Sequence, residues 1–268
     1  MIRSAVLGSP IAHSLSPALH RAAYAALGLD WAYDAIECGT DDLPALLGRQ
    51  WAGLSLTMPL KRAVLPLLDE ASELTQAVGA ANTVVYQSGR RVGFNTDVHG
   101  VVAALAESGV RLPGSAVVLG GGATACSALA ALRDLHLPKA TVIVREPARA
   151  AEAAAAADRL GVMVTVRTFA EPFPEADLVI STLPPSAADP YAETVARATG
   201  ALFDVVYDPW PTALAEAVRA RGGTVAGGFP ILLHQAARQV ALMTGHDDVP
   251  VEAMRAAGLE ELGRRSAR

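Results

Sequence analysis

Residues 116–119 form an uncharged apolar run, Ala-Val-Val-Leu, that meets Gly120, Gly121 and Gly122 at once, continues as a helix-like stretch to about Leu135, and returns to an apolar run at residues 141–144. A β-like run that ends in glycine and restarts as a helix opens a βαβ unit, and strands joined by such a crossover run parallel. Further β-like runs at 162–166, 178–180, 202–206 and 224–226 extend this unit to a doubly wound parallel sheet. The alanine-rich residues 148–157 read as a crossover helix built from the strongest helix former. Residues 117–125 also fit Gly-x-Gly-x-x-Ala at the strand-to-helix junction. Bare backbone amides and a helix N-terminus at that point can hold a pyrophosphate.

Ahead of this unit, β-like runs at 3–7, 32–36, 53–56 and 83–86 alternate with helix-like stretches at 17–27 and 61–68, which predicts a separate α/β domain. The pattern restarts near Val98 with a helix to Ser108. From Gly228 onward the chain is helical, with a break near 245–250.

At 268 residues and 51% hydrophobic composition, the chain can bury one large core or two moderate ones. Its net charge of −5 and the absence of a basic block beyond the Arg264-Arg265 pair favour neither nucleic acid nor an anionic membrane as partner, so the expected ligand is small. Residues 112–132 carry no charge over a membrane-spanning length, but Pro113, Gly114 and Gly120 to Gly122 suit a strand, turn and helix better than one spanning helix. Pro10 and polar residues follow the first apolar run too closely for a signal peptide, so a cytoplasmic location is expected. Cys38 and Cys126 lie in no ligand spacing and are expected to be reduced and structural; the six histidines show no metal spacing, and no metal is assigned.

The remaining chemistry lies in short polar strings. Residues 8–20 read Gly-Ser-Pro-Ile-Ala-His-Ser-Leu-Ser-Pro-Ala-Leu-His, placing the hydroxyls of Ser14 and Ser16 in a strand-to-helix turn, with Pro17 in the first helical turn and Ser16 as the expected N-cap. Residues 53–61 read Gly-Leu-Ser-Leu-Thr-Met-Pro-Leu-Lys. Two further strings that end β-like runs are Gly-Ala-Ala-Asn-Thr at 79–83 and Gly-Phe-Asn-Thr-Asp-Val-His-Gly at 93–100. Asparagine and aspartate in such turns commonly bond their own backbone, the plain reading for Asn95.

Taken together and in this order, the strings resemble those of the shikimate dehydrogenase family over nearly the whole chain. The resemblance implies a substrate-binding domain at 1–97 completed by the tail 228–268, and an NADP-binding Rossmann-like domain at 98–227. It implies that Ser14 and Ser16 hold the carboxylate of shikimate or 3-dehydroshikimate, with Ser55, Thr57, Asn82, Tyr207 and Gln235 also lining the substrate and Lys61 and Asp97 forming the catalytic pair. Ser55, a shorter side chain with fewer donors, stands where the family usually carries asparagine. Ile231 stands where a methionine usually flanks the nicotinamide. The cofactor set implied is Gly120, Gly121, Gly122, Ala123, Thr124, Arg145, Arg149, Val205, Gly228 and Ile231. A homodimer is compatible with the resemblance.

The end of the second Rossmann strand carries both signs of charge. Arg145 and Arg149 match an NADP 2′-phosphate pocket, whereas Glu146 would suit the ribose hydroxyls of NAD. Two forked guanidiniums outweigh one carboxylate that can turn to solvent, so NADP is the expected cofactor. The alternative is an NAD-dependent quinate/shikimate or aminoshikimate dehydrogenase, and a further one, from another class, is a non-catalytic nucleotide-binding regulator.

Overall fold

The computed structural model describes residues 2–110 and 113–267. The chain divides into two compact units, one running to Thr96 and resuming at Leu232, the other Asp97–Ile231.

The first unit contains strands β1 (Ile2–Gly8), β2 (Trp31–Glu37), β3 (Gly53–Leu56), β4 (Glu70–Ala71), β5 (Thr83–Gln87) and β6 (Arg90–Phe94), and helices α1 (Ser16–Ala26), α2 (Leu43–Leu47), α3 (Leu60–Ala63) and α4 (Glu73–Val78). The strands form one mixed sheet in the order β2-β1-β3-β5-β6-β4, parallel at β2-β1-β3 and antiparallel through β5. The expected helix over 61–68 is broken into α3 and a separate 3-10 turn, Leu65–Leu67, because Pro66 cannot supply the amide that continued α-helix requires.

Alternation along the strands gives this sheet two different faces. Ala5, Leu7, Leu54, Leu56 and Val84 enter an apolar cluster with Leu43, Leu47, Leu60 and Val64. The opposite face is polar yet buried: Ser4 pairs in register with Tyr33, Val6 with Ser55, and Ser55 with Thr83. Covering it are α1 and the tail helix α10 (Gly228–Thr244), followed by α11 (Val251–Ser266), which packs on α1.

The second unit contains β7 (Ala116–Leu119), β8 (Lys139–Val144), β9 (Met163–Thr168), β10 (Leu178–Ser181), β11 (Ala201–Asp204) and β12 (Thr224–Ala226), all parallel in the order β12-β11-β10-β7-β8-β9. This is the doubly wound order expected of a dinucleotide fold. Helices α5 (Asp97–Glu107), α6 (Ala123–Asp134) and α7 (Ala151–Leu160) pack on one another, while α8 (Ala192–Ala198) and α9 (Ala213–Ala220) cover Val117, Leu119, Val179 and Leu202. The uncharged stretch is thus divided between β7 and α6; its first residue, Leu112, lies outside the described residues. Among those described, no helix is long and apolar enough to cross a membrane.

The second unit ends at Ile231 rather than at residue 227, and begins at Asp97 rather than Val98. The first turn of α10 is tied to the second sheet: Gly228 N–H donates to Val206 O (3.0 Å), and a Cβ at Gly228 would lie 1.9 Å from Val205 O.

His20 sits within the polar face, fully buried, stacked on Tyr33 at 3.9 Å between ring centroids, with Nε2 3.2 Å from Gln239 Oε1. Burial pushes its pKa down to about 3, against the smaller opposing effect of the Gln239 bond. A folded-state value below the unfolded one means that this contribution to stability is complete above about pH 6.5 and is lost as the pH falls toward 3. One such proton steepens the acid loss of stability by up to about 1.4 kcal/mol per pH unit. Urea unfolding of wild type and His20→Asn between pH 6.5 and 4.5 should show a shallower pH slope for the variant; equal slopes would mean that His20 is not buried neutral.

Candidate active site

The polar strings collect at the end of the first sheet where β1 and β3 terminate and β5 begins. Thr57, just past β3, donates its N–H to Leu7 O (2.9 Å), and Ser9 N–H donates to Met58 O (2.9 Å), so the loops carrying Ser14 and Lys61 leave the sheet side by side. The 9–16 loop is pinned by Glu37 at the end of β2, which accepts from Ser9 Oγ (2.5 Å) and Ile11 N–H (3.0 Å). Ser14 N–H closes a turn on Ile11 O (2.9 Å), and Ser14 Oγ accepts from Ser16 N–H (3.3 Å). That last bond uses a lone pair of Ser14 and none of its donor capacity.

Ser16 is not the N-cap of α1. It is the first helical residue, and the cap position falls to Leu15, which makes no side-chain cap bond. Ser16 is buried there, as is Tyr33, whose pKa is raised chiefly by that burial.

Asn82 organises the opposite side. Its Nδ2 donates to Thr96 Oγ1 (2.9 Å) and Gln235 Oε1 (3.2 Å), and its Oδ1 accepts from Thr96 N–H (2.8 Å) and Thr83 Oγ1 (2.9 Å). One carboxamide therefore joins the start of β5, the end of β6 and helix α10. Lys61, half-buried in α3, is set by its backbone, since Ala81 N–H donates to Lys61 O (2.7 Å). Asp97 follows Thr96 directly and is buried at the start of α5. Asn95 bonds Ala80 O (2.9 Å), the local backbone role expected of it.

Ser55 is committed within the protein. It donates to Gln239 Oε1 (2.8 Å) and accepts from Tyr33 Oη (2.7 Å), while Gln239 Nε2 donates to Asn82 O (3.2 Å) and Thr83 Oγ1 (3.1 Å). Sequence reasoning assigned no role to Tyr33, Gln239, Glu37 or Thr96. Gln239 lies one helical turn beyond Gln235, which is the signal that places both on one face of α10.

In the second unit the three glycines have three different roles. Gly120 has φ +104°, outside the range open to most side chains. Gly121 is crowded by the chain: a Cβ there would lie 2.2 Å from Arg149 O. Gly122 has nothing within 4 Å of its Cβ position and stands exposed at the N-cap of α6, ahead of Ala123 and Thr124, so its backbone is open to a ligand. Arg145, Glu146 and Arg149 are all exposed after β8, and among the described residues no ion pair ties Glu146 to either arginine. Val205, Val206 and Tyr207 follow β11. Asp204, buried at its end, accepts from Val206 N–H (3.2 Å) and Thr212 Oγ1 (2.8 Å), pinning both ends of the loop that carries Tyr207; burial raises its pKa. Ile231 is buried in the first turn of α10. Cys38 and Cys126 are free and buried.

The chain matches the shikimate dehydrogenase substrate binding domain over residues 6–84 and the shikimate 5′-dehydrogenase C-terminal domain over residues 228–257. It is 38% identical to the shikimate dehydrogenase (NADP(+)) of Thermus thermophilus, with 99% of each chain covered. Among solved structures, shikimate dehydrogenase of Mycobacterium tuberculosis aligns with TM-score 0.86 at 41% identity, covering 97% of this chain and all of that one. The Thermus thermophilus enzyme in complex with NADP(H) and shikimate aligns with TM-score 0.86 at 37% identity, covering 97% and 99%. Two mixed α/β units, one of them a doubly wound sheet with an open glycine at a helix N-terminus, define a nucleotide-dependent enzyme fold. The chain belongs to the shikimate dehydrogenase family.

The contrast between adjacent glycines is directly testable. Gly121→Ala should lower the thermal midpoint by several degrees, the scale of an overpacking cost of about 1–3 kcal/mol. Gly122→Ala should cost under about 1 kcal/mol, the difference between glycine and alanine at an N-cap. Equal midpoints for the two variants, read by differential scanning fluorimetry, would contradict the assigned crowding.

Proposed function

We propose that the protein is an NADP-dependent shikimate dehydrogenase, which reversibly reduces 3-dehydroshikimate to shikimate in the cytoplasm. The observation that carries this reading is the pairing, in one chain 38% identical to an NADP enzyme of that name, of an exposed Gly122 at the N-cap of α6 with two exposed arginines after β8. The first unit is the substrate domain and the second the cofactor domain.

The residues present suit the cofactor. Gly120, Gly121 and Gly122, with Ala123 and Thr124 at the start of α6, offer backbone donors to a pyrophosphate; Arg145 and Arg149 offer forks to a 2′-phosphate; Val205, Gly228 and Ile231 form the wall for the nicotinamide. When bound, NADPH supplies the hydride that reduces the ketone carbon.

Everything else is the chain's own work. Ser14 and Ser16 donate to the substrate carboxylate, and Thr57, Asn82, Tyr207 and Gln235 bond its hydroxyls or shape its pocket. Lys61 gives a proton to the developing alkoxide, or removes it in the reverse direction, and Asp97 orients the lysine for that transfer. Ser55 contributes by holding Tyr33 and Gln239 rather than by touching substrate. Self-association as a homodimer belongs to the same reading and is measured by sedimentation.

Steady-state kinetics with shikimate and quinate, each with NADP and NAD, tests the whole assignment. Shikimate with NADP should give the highest kcat/KM; a preference for NAD or quinate would promote the quinate-type alternative that Glu146 suggests. Lys61→Ala should lower kcat at least about a hundredfold, the scale of a lost positioned acid or base, with little change in KM. Near-normal turnover would remove the proton-transfer role. Arg145→Ala/Arg149→Ala should weaken NADP while sparing NAD, because only NADP carries the 2′-phosphate. Equal loss of both cofactors would contradict the phosphate pocket.

A further inference from the structure

The last turn of α11 reaches the loop that carries Ser14. Arg265 Nη1 donates to His13 O (2.6 Å) and Nη2 to Ser14 O (3.1 Å), across a sequence separation of about 250 residues. The guanidinium is itself aimed by Glu261, one turn earlier on α11, whose Oε1 accepts from Arg265 Nε (2.7 Å). Arg264 also bonds Glu261, and the two guanidiniums hold the carboxyl below its ordinary range, keeping it ionised as an acceptor. About a fifth of each side chain in the Arg265–Glu261 pair is exposed, so the pair is partly shielded from solvent.

The rest of the loop shows why these two bonds matter. Glu37 holds its beginning through Ser9 and Ile11, and Ile11 and Leu15 are buried on either side of the turn. Between those anchors, residues 12–14 project outward, and Ala12 and His13 are exposed. Apart from these two bonds, Ser14 is held locally by its turn bond to Ile11 O and by the Ser16 N–H that donates to its Oγ. A planar fork with three N–H groups committed to fixed acceptors removes that freedom in a way that a single ammonium cannot.

We propose that Arg265, oriented by Glu261, is a positioning residue for the substrate-carboxylate turn: it holds the Ser14 backbone so that the Ser14 and Ser16 hydroxyls converge on one anion. The proposal rests on the reading of those serines as the carboxylate site. Arg265 touches neither substrate nor cofactor in this role, so its effect is confined to the arrangement of the free loop.

The test is steady-state kinetics of the full-length protein, with NADP affinity by isothermal titration and thermal midpoints measured in parallel, on Arg265→Ala, Arg265→Lys, Glu261→Ala and Ser14→Ala. Arg265→Ala should raise KM for shikimate about five- to tenfold, the scale of a lost charged hydrogen bond, with kcat within about twofold and NADP affinity unchanged. Arg265→Lys should recover part of this loss, because an ammonium can reach one carbonyl; Glu261→Ala should give a smaller effect in the same direction. A normal KM for Arg265→Ala beside a raised KM for Ser14→Ala would overturn the positioning role alone. Parallel losses of kcat, NADP affinity and thermal midpoint in Arg265→Ala would also overturn it, as a general destabilisation. A normal KM for Ser14→Ala would overturn the carboxylate reading and this proposal with it.

Discussion

The carboxamide of Asn82 is the contact on which the substrate side of the structure depends. It is almost fully buried, and a buried amide must find partners for both N–H groups and for its oxygen or carry a cost of about 1–3 kcal/mol for each group left unmade. Thr96, Thr83 and Gln235 meet that demand, so three separate segments of chain are placed by one side chain. Thr96 immediately precedes Asp97, and Ala81, the neighbour of Asn82, bonds the backbone of Lys61. The backbone segments leading to both members of the proposed catalytic pair are therefore fixed from the same point.

Gln239 extends this arrangement across the sheet. It links Asn82 O and Thr83 to Ser55 and His20, and Ser55 passes the connection to Tyr33 beside the Ser16 turn. Much of a face that would ordinarily be filled with leucine and valine carries hydroxyls, amides and one neutral imidazole among residues such as Val6. Among the described residues no buried side-chain polar atom lacks a partner. Such a network is rigid when every bond is made, and it places hydroxyls within the sheet rather than on mobile loops.

Much of this was legible in the sequence, and the parts that were not have a common cause. The central strands β7, β10 and β11 stand out because fully buried strands read as continuous apolar runs, whereas the edge strand β9 shows only as a β-branched run. The two-residue β4 and the short helices α2 and α4 are too brief to show a period. Ser16 reads as a cap because serine before proline usually is one; here the helix starts on Ser16 itself and the cap position falls to Leu15, which local pattern cannot reveal. The same holds for Glu37, Gln239, Asp204 and Arg265, each of which acts on residues from two to some 250 positions away. The glycine motif is legible as a motif, but the division of labour between crowded Gly121 and open Gly122 is set by the return of the chain at Arg149.

The central claim is that Asn82 and Gln235 act as one unit in shaping the substrate site, and a double-mutant cycle in kcat/KM for shikimate on Asn82→Ala, Gln235→Ala and the double variant measures it most directly. Residues in one hydrogen-bonded network couple by about 0.5–3 kcal/mol, so the double variant should be little worse than the worse single variant. Losses that multiply as independent effects would contradict the account.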